Sequence, residues 1–341
     1  MTRLLAAVAL MLIIVGLSAI EVEKRWKAPL NLPPEGYTLT VAAGDSLRSV
    51  STQLAADGVL AFPFILRAYG RWTGLDQQIK RGEYQLSAGL TQAALLDLLR
   101  SGKVVSYSVT LPEGIMLSRA LAILADTDAL AVELNGPGDQ RIAELVAPHK
   151  SPEGLFLPET YRFERGDTDW QVLQRAHAAL LEVLAQEWAE RAPELPYETP
   201  YEALIMASII ERETAVPAER PEISGVFVRR LQKRMRLQTD PTVIYGLGPT
   251  FDGNLRRKHL VDDSNAYNSY RHHGLPPSPI ALAGRAAINA ALHPAPGSTL
   301  FFVARGDGSH QFSVTLEEHE RAVRKYQLQR RQDYRSTPEK P

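Results

Sequence analysis

Two glutamates that follow an apolar segment are the residues of this sequence best suited to acid–base chemistry. Residues Ala203–Ile210 are all apolar or small, and Glu211 and Glu213 come directly after them. A helix that is apolar all round belongs in a core. A carboxyl group at its end loses solvation, which raises its pKa toward the range where it can donate a proton near neutral pH. The sequence therefore predicts a buried general acid at this point.

The spacing of the two glutamates separates their roles. Side chains two residues apart project roughly 200° apart on a helix of about 3.6 residues per turn, so they cannot form a close pair. Glu211 lies over two small residues one turn earlier, which leave room for a ligand, whereas Glu213 lies over two isoleucines. We therefore expect Glu211 to be the acid/base and Glu213 to be structural. The alternative is that Glu211 only forms an ion pair with Arg212 or Arg220, since structural ion pairs also perturb carboxylates.

Local signals place the start of this helix near residue 200. Thr199 and Glu202 have the spacing of a capping box, in which each side chain accepts a hydrogen bond from the other residue's backbone N–H. Pro200 suits the first helical position, where its missing N–H costs nothing. The predicted helix therefore runs from there into the two glutamates.

Amide, hydroxyl and aromatic side chains that suit a sugar are concentrated after this helix, in residues 236–246, 265–270 and 274–280. Sugars need hydrogen-bond partners for their hydroxyl groups and ring faces for stacking. The Gly- and Pro-containing loop at 153–161 adds acids and aromatics, with packing alone as its alternative role. The predicted substrate contacts are Gln238, Thr239, Asp240, Thr242, Tyr267, Asn268 and Glu153. Glu153, Glu159 and Asp240 are also kept as candidates for a second acid, although Asp240 fits better as a residue that orients the cleft.

The composition excludes several classes of function. The 38 basic and 39 acidic residues nearly cancel, so net charge gives no reason to expect a nucleic-acid partner. Cysteine is absent, which excludes disulfides, thiol nucleophiles and cysteine-bound zinc and fits a protein working outside the reducing cytosol. The histidines show no His-Glu-x-x-His or similar spacing, so no metal site and no cofactor are predicted.

The N-terminus carries a membrane signal. Residues Leu4–Ile20 are an unbroken apolar or small run after Arg3, at the short end of the range of about 17 to 25 residues that spans a bilayer. We expect a retained single-pass anchor with the rest of the chain exported; the alternative is a signal peptide cleaved near Gly16–Ser18.

The remaining chain predicts an α+β protein with two folded parts. A strand at Tyr37–Val41, a Gly44–Ser46 turn and a following helix resemble the opening of a LysM module. Such modules bind N-acetylglucosamine polymers, and the alternative is a module kept only for packing or spacing. The predicted division is a transmembrane anchor at 1–20, a linker at 21–36, a small LysM-like α/β domain at 37–103, a larger mixed α+β catalytic domain at 104–334, and a tail at 335–341.

Four motifs together resemble the YceG-like family, whose members are endolytic murein transglycosylases. They are Ala207–Thr214, Leu237–Gly246, Tyr267–Asn268 and Gly274–Pro277. The Gln-Thr-Asp-Pro-Thr sequence at 238–242 is the most specific of them. The family's catalytic residue is the first glutamate of its Ser-Ile-(Ile/Val)-Glu-(Lys/Arg)-Glu-Thr motif. The resemblance thus implies that Glu211 is catalytic, in agreement with the argument from the helix faces.

The resemblance implies a lyase reaction on peptidoglycan. Protonated Glu211 would donate to the bond between N-acetylmuramic acid and N-acetylglucosamine, and the muramic acid's own C6 hydroxyl would close a 1,6-anhydro ring. Ordinary glycosidases need a second carboxylate to bring in water or act as nucleophile. The sequence predicts none within reach of Glu211, which suits a lyase.

The resemblance also implies a setting for the reaction. The implied location is the inner membrane of a bacterium, with the catalytic domain in the periplasm, where cutting within nascent strands would end their elongation and peptidoglycan synthases would be partners. Two rival functions remain open at this stage. One is a non-catalytic, membrane-anchored peptidoglycan-binding module, and the other is a metal-dependent hydrolase using some of the histidines.

Overall fold

The computed structural model describes residues 2–328, so the predicted tail at 335–341 lies outside the described residues. The chain forms two compact units. The first holds the residues up to 107 together with 129–131 and 162–167, and the second holds 108–128, 132–161 and the residues from 168 onward. The division falls four positions after the boundary predicted at residue 103.

The N-terminal helix α1 spans Thr2–Lys27. Its apolar side chains are exposed, and by length and composition residues Leu4–Lys27 are sufficient to cross a membrane, a test that a signal sequence also passes. The segment predicted as a linker is structured differently. The helix continues to Lys27, and Leu30 is then buried in the core of the first unit, where its N–H donates to the Leu90 carbonyl at 2.7 Å.

The first unit is built on a strand–helix–helix–strand sequence. Its two strands are antiparallel, with Tyr37 opposite Leu86 and Val41 opposite Gly82. Alternate strand residues such as Leu39 and Tyr84 point into a shared core with the helices, as the period-two pattern of a half-buried strand requires. The elements are β1 Tyr37–Val41, α2 Leu47–Ala56, α3 Pro63–Thr73, β2 Gly82–Leu86 and α4 Gln92–Ser101.

The remaining strands are short. Strands β3 (Ser106–Thr110) and β4 (Thr160–Glu164) pair as one two-stranded sheet. Strands β5 (Phe301–Ala304) and β6 (His310–Ser313) form an antiparallel hairpin.

Helices make up most of the second unit. They are α5 Leu117–Ala125, α6 Gln140–Leu145, α7 Asp169–Ala189, α8 Pro200–Glu213, α9 Arg220–Gln232, α10 Asp240–Leu247, α11 Arg257–Leu260, α12 Arg285–Leu292 and α13 Leu316–Val323. The mixture of helices and short antiparallel strands confirms the α+β class at this level.

Helix α8 is the centre of the second unit. Every residue from Ala203 to Ile210 is buried, because α7, α9, α10 and α12 all pack against it. Its predicted start is confirmed, since the Thr199 hydroxyl accepts the N–H of Glu202. The second hydrogen bond of the expected capping box, from the Thr199 N–H to the Glu202 carboxylate, is replaced: this carboxylate accepts the N–H of Glu198 instead. A helix enclosed in this way holds the side chains at its C-terminal end in fixed positions.

Candidate active site

Glu211 lies at the last turn of α8 with its side chain only 4% exposed. One carboxylate oxygen accepts a hydrogen bond from the Arg220 guanidinium at 3.1 Å, and the other accepts the backbone N–H of Gly284 at 3.0 Å. Both oxygens are therefore held by donors that stabilise the ionised form. The predicted structural alternative, an ion pair with Arg220, is present, and it does not exclude a catalytic role.

A second carboxylate belongs to the same cluster. Glu113 lies 3.5 Å from the Arg220 guanidinium, and its side chain is 48% exposed. The sequence argument predicted no second carboxylate near Glu211, and this expectation is corrected: Arg220 bridges Glu113 and Glu211. The residue is not Glu153, Glu159 or Asp240, the candidates kept for this role.

Glycine backbone forms part of the wall around Glu211. Gly114, at a φ of +75°, lies beside it, and a Cβ at Gly114 would be 3.8 Å from the Cγ of Glu211. A Cβ at Gly284 would be 1.9 Å from a carboxylate oxygen of Glu113, so a side chain there would displace that carboxylate. Gly114 needs glycine for its left-handed conformation, whereas glycine at Gly284 leaves the Glu113 side chain in place beside Arg220.

Burial raises the pKa of the Glu211 carboxyl above its ordinary value, and the charge of Glu113 acts in the same direction. The N–H of Gly284 and the Arg220 guanidinium lower this pKa and so limit the rise. The environment thus shifts the carboxyl toward its protonated form before reaction and provides donors for the carboxylate once the proton has left, which suits a group that acts first as acid and then as base.

Glu213 faces a different set of partners, as the helix geometry predicted. Its carboxylate accepts a short hydrogen bond from the Thr239 hydroxyl, and burial raises its pKa to about 7. The charge of Asp240 adds to this rise, whereas Arg230 opposes it. The start of the Gln-Thr-Asp-Pro-Thr motif is therefore assembled against Glu213. Of the segments predicted to suit a sugar, the loop at 274–280 leads to Gly284, whose N–H donates to Glu211.

Two residues of this motif remain open to solvent. Gln238 is exposed at a left-handed φ of 53°, with its amide oxygen 3.5 Å from Arg230. Asp240 is exposed and accepts the Tyr270 hydroxyl at 2.7 Å. Both have surface available for a ligand, so their predicted substrate contacts remain predictions.

Thr242 and Asn268 are fully buried, and their polar groups are used within the protein. The Thr242 hydroxyl donates to the Thr239 carbonyl at 2.8 Å. The Asn268 amide lies within hydrogen-bonding distance of the carbonyls of His259, Leu260 and Asp262. Direct substrate contact, predicted for both, is not supported by this geometry; they hold the loops in place.

Glu153 and Tyr267 belong to a third cluster. The Glu153 carboxylate accepts the N–H of Leu117, the first residue of α5, at 2.9 Å, and burial raises its pKa to about 7. Tyr245 donates to the same carboxylate and packs edge-on against Tyr267, whose hydroxyl lies 2.7 Å from that of Ser278. Glu153 is 8% exposed, so its geometry favours a supporting role over the predicted contact.

A cavity of about 830 Å³ opens beside the Glu211 cluster. Glu113 and Arg220 line one part of it, so the cavity reaches the charged group that holds Glu211. Glu159, kept above as a candidate second acid, lies on its wall. The other lining residues are mostly apolar, with a charged pair formed by Arg285 and Glu187 at 3.3 Å. Among residues 2–328, no three His, Asp or Glu side chains are grouped so that they could hold a metal ion.

The fold and this site define an α+β protein whose central helix ends in a shielded acid. The sequence profile of the YceG-like family matches residues 39–325, so this chain belongs to the YceG-like family. A relative in Bacillus subtilis (strain 168), named endolytic murein transglycosylase, is 30% identical over 91% of this chain and 89% of its own length.

More distant relatives and a solved structure agree with the family. A Streptococcus pneumoniae protein of the same name (serotype 2, strain D39) is 24% identical; the alignment covers 86% of this chain but only 59% of that protein. The crystal structure of a YceG-like protein from Listeria monocytogenes is similar, with a TM-score of 0.52 and 29% identity over 85% of this chain and 99% of the other.

Proposed function

We propose that this protein is an endolytic lytic murein transglycosylase, which cuts the bond between N-acetylmuramic acid and N-acetylglucosamine within peptidoglycan strands. The observation that carries the proposal is the nearly buried Glu211 carboxyl at the end of α8, held by Arg220 and the Gly284 N–H. The Bacillus subtilis relative of that name supports it over most of both chains.

In the proposed reaction a single carboxyl first donates a proton and later accepts another. Protonated Glu211 donates to the glycosidic oxygen as the bond to muramic acid C1 breaks, and the N-acetylglucosamine unit leaves with a hydroxyl group. The muramic acid C6 hydroxyl then attacks C1, and its proton passes to the ionised Glu211. Arg220 and the Gly284 N–H stabilise the carboxylate between the two steps. No water is added, and the carboxyl ends protonated as it began.

Glu113 has a positioning role in this scheme. Its carboxylate shares Arg220 with Glu211, and its charge helps to keep the pKa of Glu211 high. Its side chain is also the exposed member of the cluster and lines the adjacent cavity. Glu113 therefore adjusts the proton affinity of the acid from the side on which a glycan strand can enter. Thr239, also predicted as a substrate contact, is buried with its hydroxyl on Glu213, and like Thr242, Asn268 and Glu153 it supports the surrounding loops. Gln238, Asp240 and Tyr267 are the proposed substrate contacts.

The scheme predicts how Glu113→Gln changes the pH profile. Activity requires protonated Glu211, so it is lost as the pH rises through the pKa of that carboxyl. Removing the Glu113 charge removes one cause of the raised pKa, and we expect the alkaline limb of kcat/KM to move to lower pH. Glu159→Gln is the matched control, since it removes a carboxylate from the wall of the same cavity without touching Arg220. An equal shift in both variants, or none in Glu113→Gln, would contradict the positioning role.

The N-terminal parts complete the proposal. Helix α1 is a retained single-pass anchor in the inner membrane of a bacterium, and the catalytic unit faces the periplasm, where nascent strands are made. The first unit is LysM-like and contacts glycan; its strand–helix–helix–strand order and antiparallel strand pair support this assignment. Cutting nascent strands would end their elongation, with peptidoglycan synthases as partners.

The reaction class can be tested by digesting purified sacculi with the detergent-solubilised protein and analysing the fragments by mass spectrometry. We expect fragments that end in 1,6-anhydromuramic acid, including fragments from the interior of long strands. Fragments with reducing muramic ends would make the enzyme a hydrolase. Intact sacculi, with binding retained, would favour the non-catalytic module instead.

A further inference from the structure

Helix α3 of the first unit carries exposed apolar side chains on the face opposite its buried one. Ile65, Leu66 and Gly70 pack into the unit, whereas Phe64 and Trp72 are 58% and 83% exposed. Phe64, Ala68 and Trp72 are spaced four residues apart, so they form one stripe along the helix. Scattered apolar residues on a surface are normal, but this stripe is aligned and lies beside the apolar helix α1.

Contacts with α1 fix the direction in which α3 runs. The guanidinium of Arg25 lies 3.8 Å from the ring centre of Phe62, and the ring of Tyr69 lies 4.2 Å from that of Trp26. Phe62 and Tyr69 are about 10 Å apart along α3, whereas Arg25 and Trp26 differ by only about 1.5 Å along α1. Both ends of this stretch therefore meet α1 at the same level, and α3 crosses α1 at a steep angle.

The position of Phe64 shows which side of α3 faces the apolar part of α1. Phe64 and Ile65 line a cleft with Arg25 and, closer to the N-terminus of α1, with Leu17, Ser18, Glu21 and Val22. The last four precede Arg25 by three to eight positions, which places them roughly 5 to 12 Å closer to the N-terminal end of the helix. The stripe that begins at Phe64 therefore points along α1 toward its apolar run.

From this geometry we infer that α3 lies flat in the lipid headgroup region, with the stripe of Phe64, Ala68 and Trp72 inserted among the upper acyl chains. The inference rests on the proposed retention of α1 as a membrane anchor. Trp and Tyr favour the membrane interface, and an interfacial helix places apolar residues below and basic residues at its sides. Arg71 flanks the stripe and is exposed. Arg25 and Lys27, near the C-terminal end of α1, are paired with Glu21 and Glu23 of the same helix.

The consequence is that the first unit is fixed to the bilayer surface rather than suspended on a tether. The attachment of Leu30 to Leu90 and the packing of Trp26 against the core of the unit leave no free linker between α1 and this unit. With α3 embedded, the unit has a single orientation relative to the bilayer. A glycan bound by this unit would then be held at a fixed height above the membrane.

The test uses the full chain in phosphatidylcholine–phosphatidylglycerol nanodiscs whose acyl chains are brominated near the headgroup. In one variant Trp26, Trp170 and Trp188 are replaced by Phe, so that Trp72 is the only tryptophan of the chain, and it is excited at a wavelength that tyrosine does not absorb. The matched control keeps these three replacements and places its single tryptophan on α2 instead, by combining Trp72→Phe with Thr52→Trp. Thr52 is exposed on α2, which packs on the buried side of α3. Circular dichroism checks that both variants are folded.

We expect the brominated lipid to remove most of the Trp72 emission while aqueous iodide has little effect, and the control to show the reverse. Trp72 emission that is sensitive to iodide and insensitive to bromine, in chain that stays in the discs, would overturn the inference alone. Chain that leaves the bilayer under alkaline washing would overturn the anchor and the inference together. Neither result bears on the reaction, which the ends of the sacculus fragments report separately.

Discussion

Glu211→Gln is expected to reduce turnover of peptidoglycan by about 10²- to 10⁴-fold, the usual contribution of a general acid–base group. Glutamine keeps the shape of the side chain, but its single amide oxygen can accept from only one of the donors Arg220 and Gly284, which bond to different oxygens of Glu211. Its amide group cannot transfer a proton to the glycosidic oxygen. The rate of release of soluble muropeptides from sacculi measures the loss. Binding of the variant to sacculi, measured by sedimentation, is expected to be retained.

Glu213→Gln is the matched control, because it makes the same chemical change two residues further along the same helix. Glu213 bonds to Thr239 and is separated from the Arg220 cluster, so most of the turnover is expected to remain. The free energy of unfolding is expected to fall by a larger factor than the rate of turnover, and to depend less on pH than that of the wild type. The wild-type carboxyl, with its pKa raised to about 7, contributes stability that is lost as the pH rises toward that value. If Glu213→Gln were inactive and Glu211→Gln active, the catalytic assignment would be reversed.

Asn268→Ala is expected to lower the free energy of unfolding by about 2 to 4 kcal/mol, since a buried group left without a hydrogen bond costs about 1 to 3 kcal/mol. The Asn268 amide serves three carbonyls, at 3.1 Å, 3.3 Å and 2.8 Å, and its oxygen accepts the Tyr270 N–H at 3.0 Å. Removing the side chain leaves these groups unpaired in a place with no room for bulk water. Urea denaturation followed by tryptophan fluorescence measures the change.

The control for this prediction is Gln238→Ala, which removes an amide from an exposed position in a neighbouring loop. Its effect on stability is expected to be small, and any effect on KM would report a contact with the glycan. The opposite pattern would restore Asn268 as a direct ligand: unchanged stability in Asn268→Ala together with a large rise in KM.

The central helix was predictable because its determinants are local. Thr199 and Pro200 mark its start, and an unbroken apolar segment requires burial wherever the rest of the chain goes. The separation of Glu211 from Glu213 follows from helix geometry alone. The structure agrees, as Arg220 meets one of these glutamates and Thr239 the other.

The partners of these glutamates were not predictable, because they come from distant parts of the chain. Glu113 lies in a turn nearly a hundred residues before Glu211, and nothing in its local sequence indicates that Arg220 will bring it into the cluster. The run Pro112–Gly114 indicates a turn, but only the folded structure brings the Glu113 carboxylate against Gly284. The contact between Thr239, in the polar motif at 238–242, and Glu213 was not predictable for the same reason.

Residue type also does not distinguish an amide that binds sugar from one that binds the protein itself. Asn268 and Gln238 offer the same donors and acceptors, yet one is fully buried and the other exposed. Thr242 and Thr239 likewise use their hydroxyls on a neighbouring carbonyl and on Glu213. Burial decides between these roles, and burial depends on how the loops at 236–246 and 265–270 pack together.

The most direct test of the proposed reaction is to digest sacculi in water enriched in heavy oxygen and to weigh the new muramic ends by mass spectrometry. Attack by the muramic acid's own C6 hydroxyl predicts anhydro ends with no heavy oxygen, formed at a rate that falls with Glu211→Gln and not with Glu213→Gln. Muramic ends that carry heavy oxygen would show that water attacks C1. That result would contradict a reaction in which Glu211 alone moves the proton in both steps.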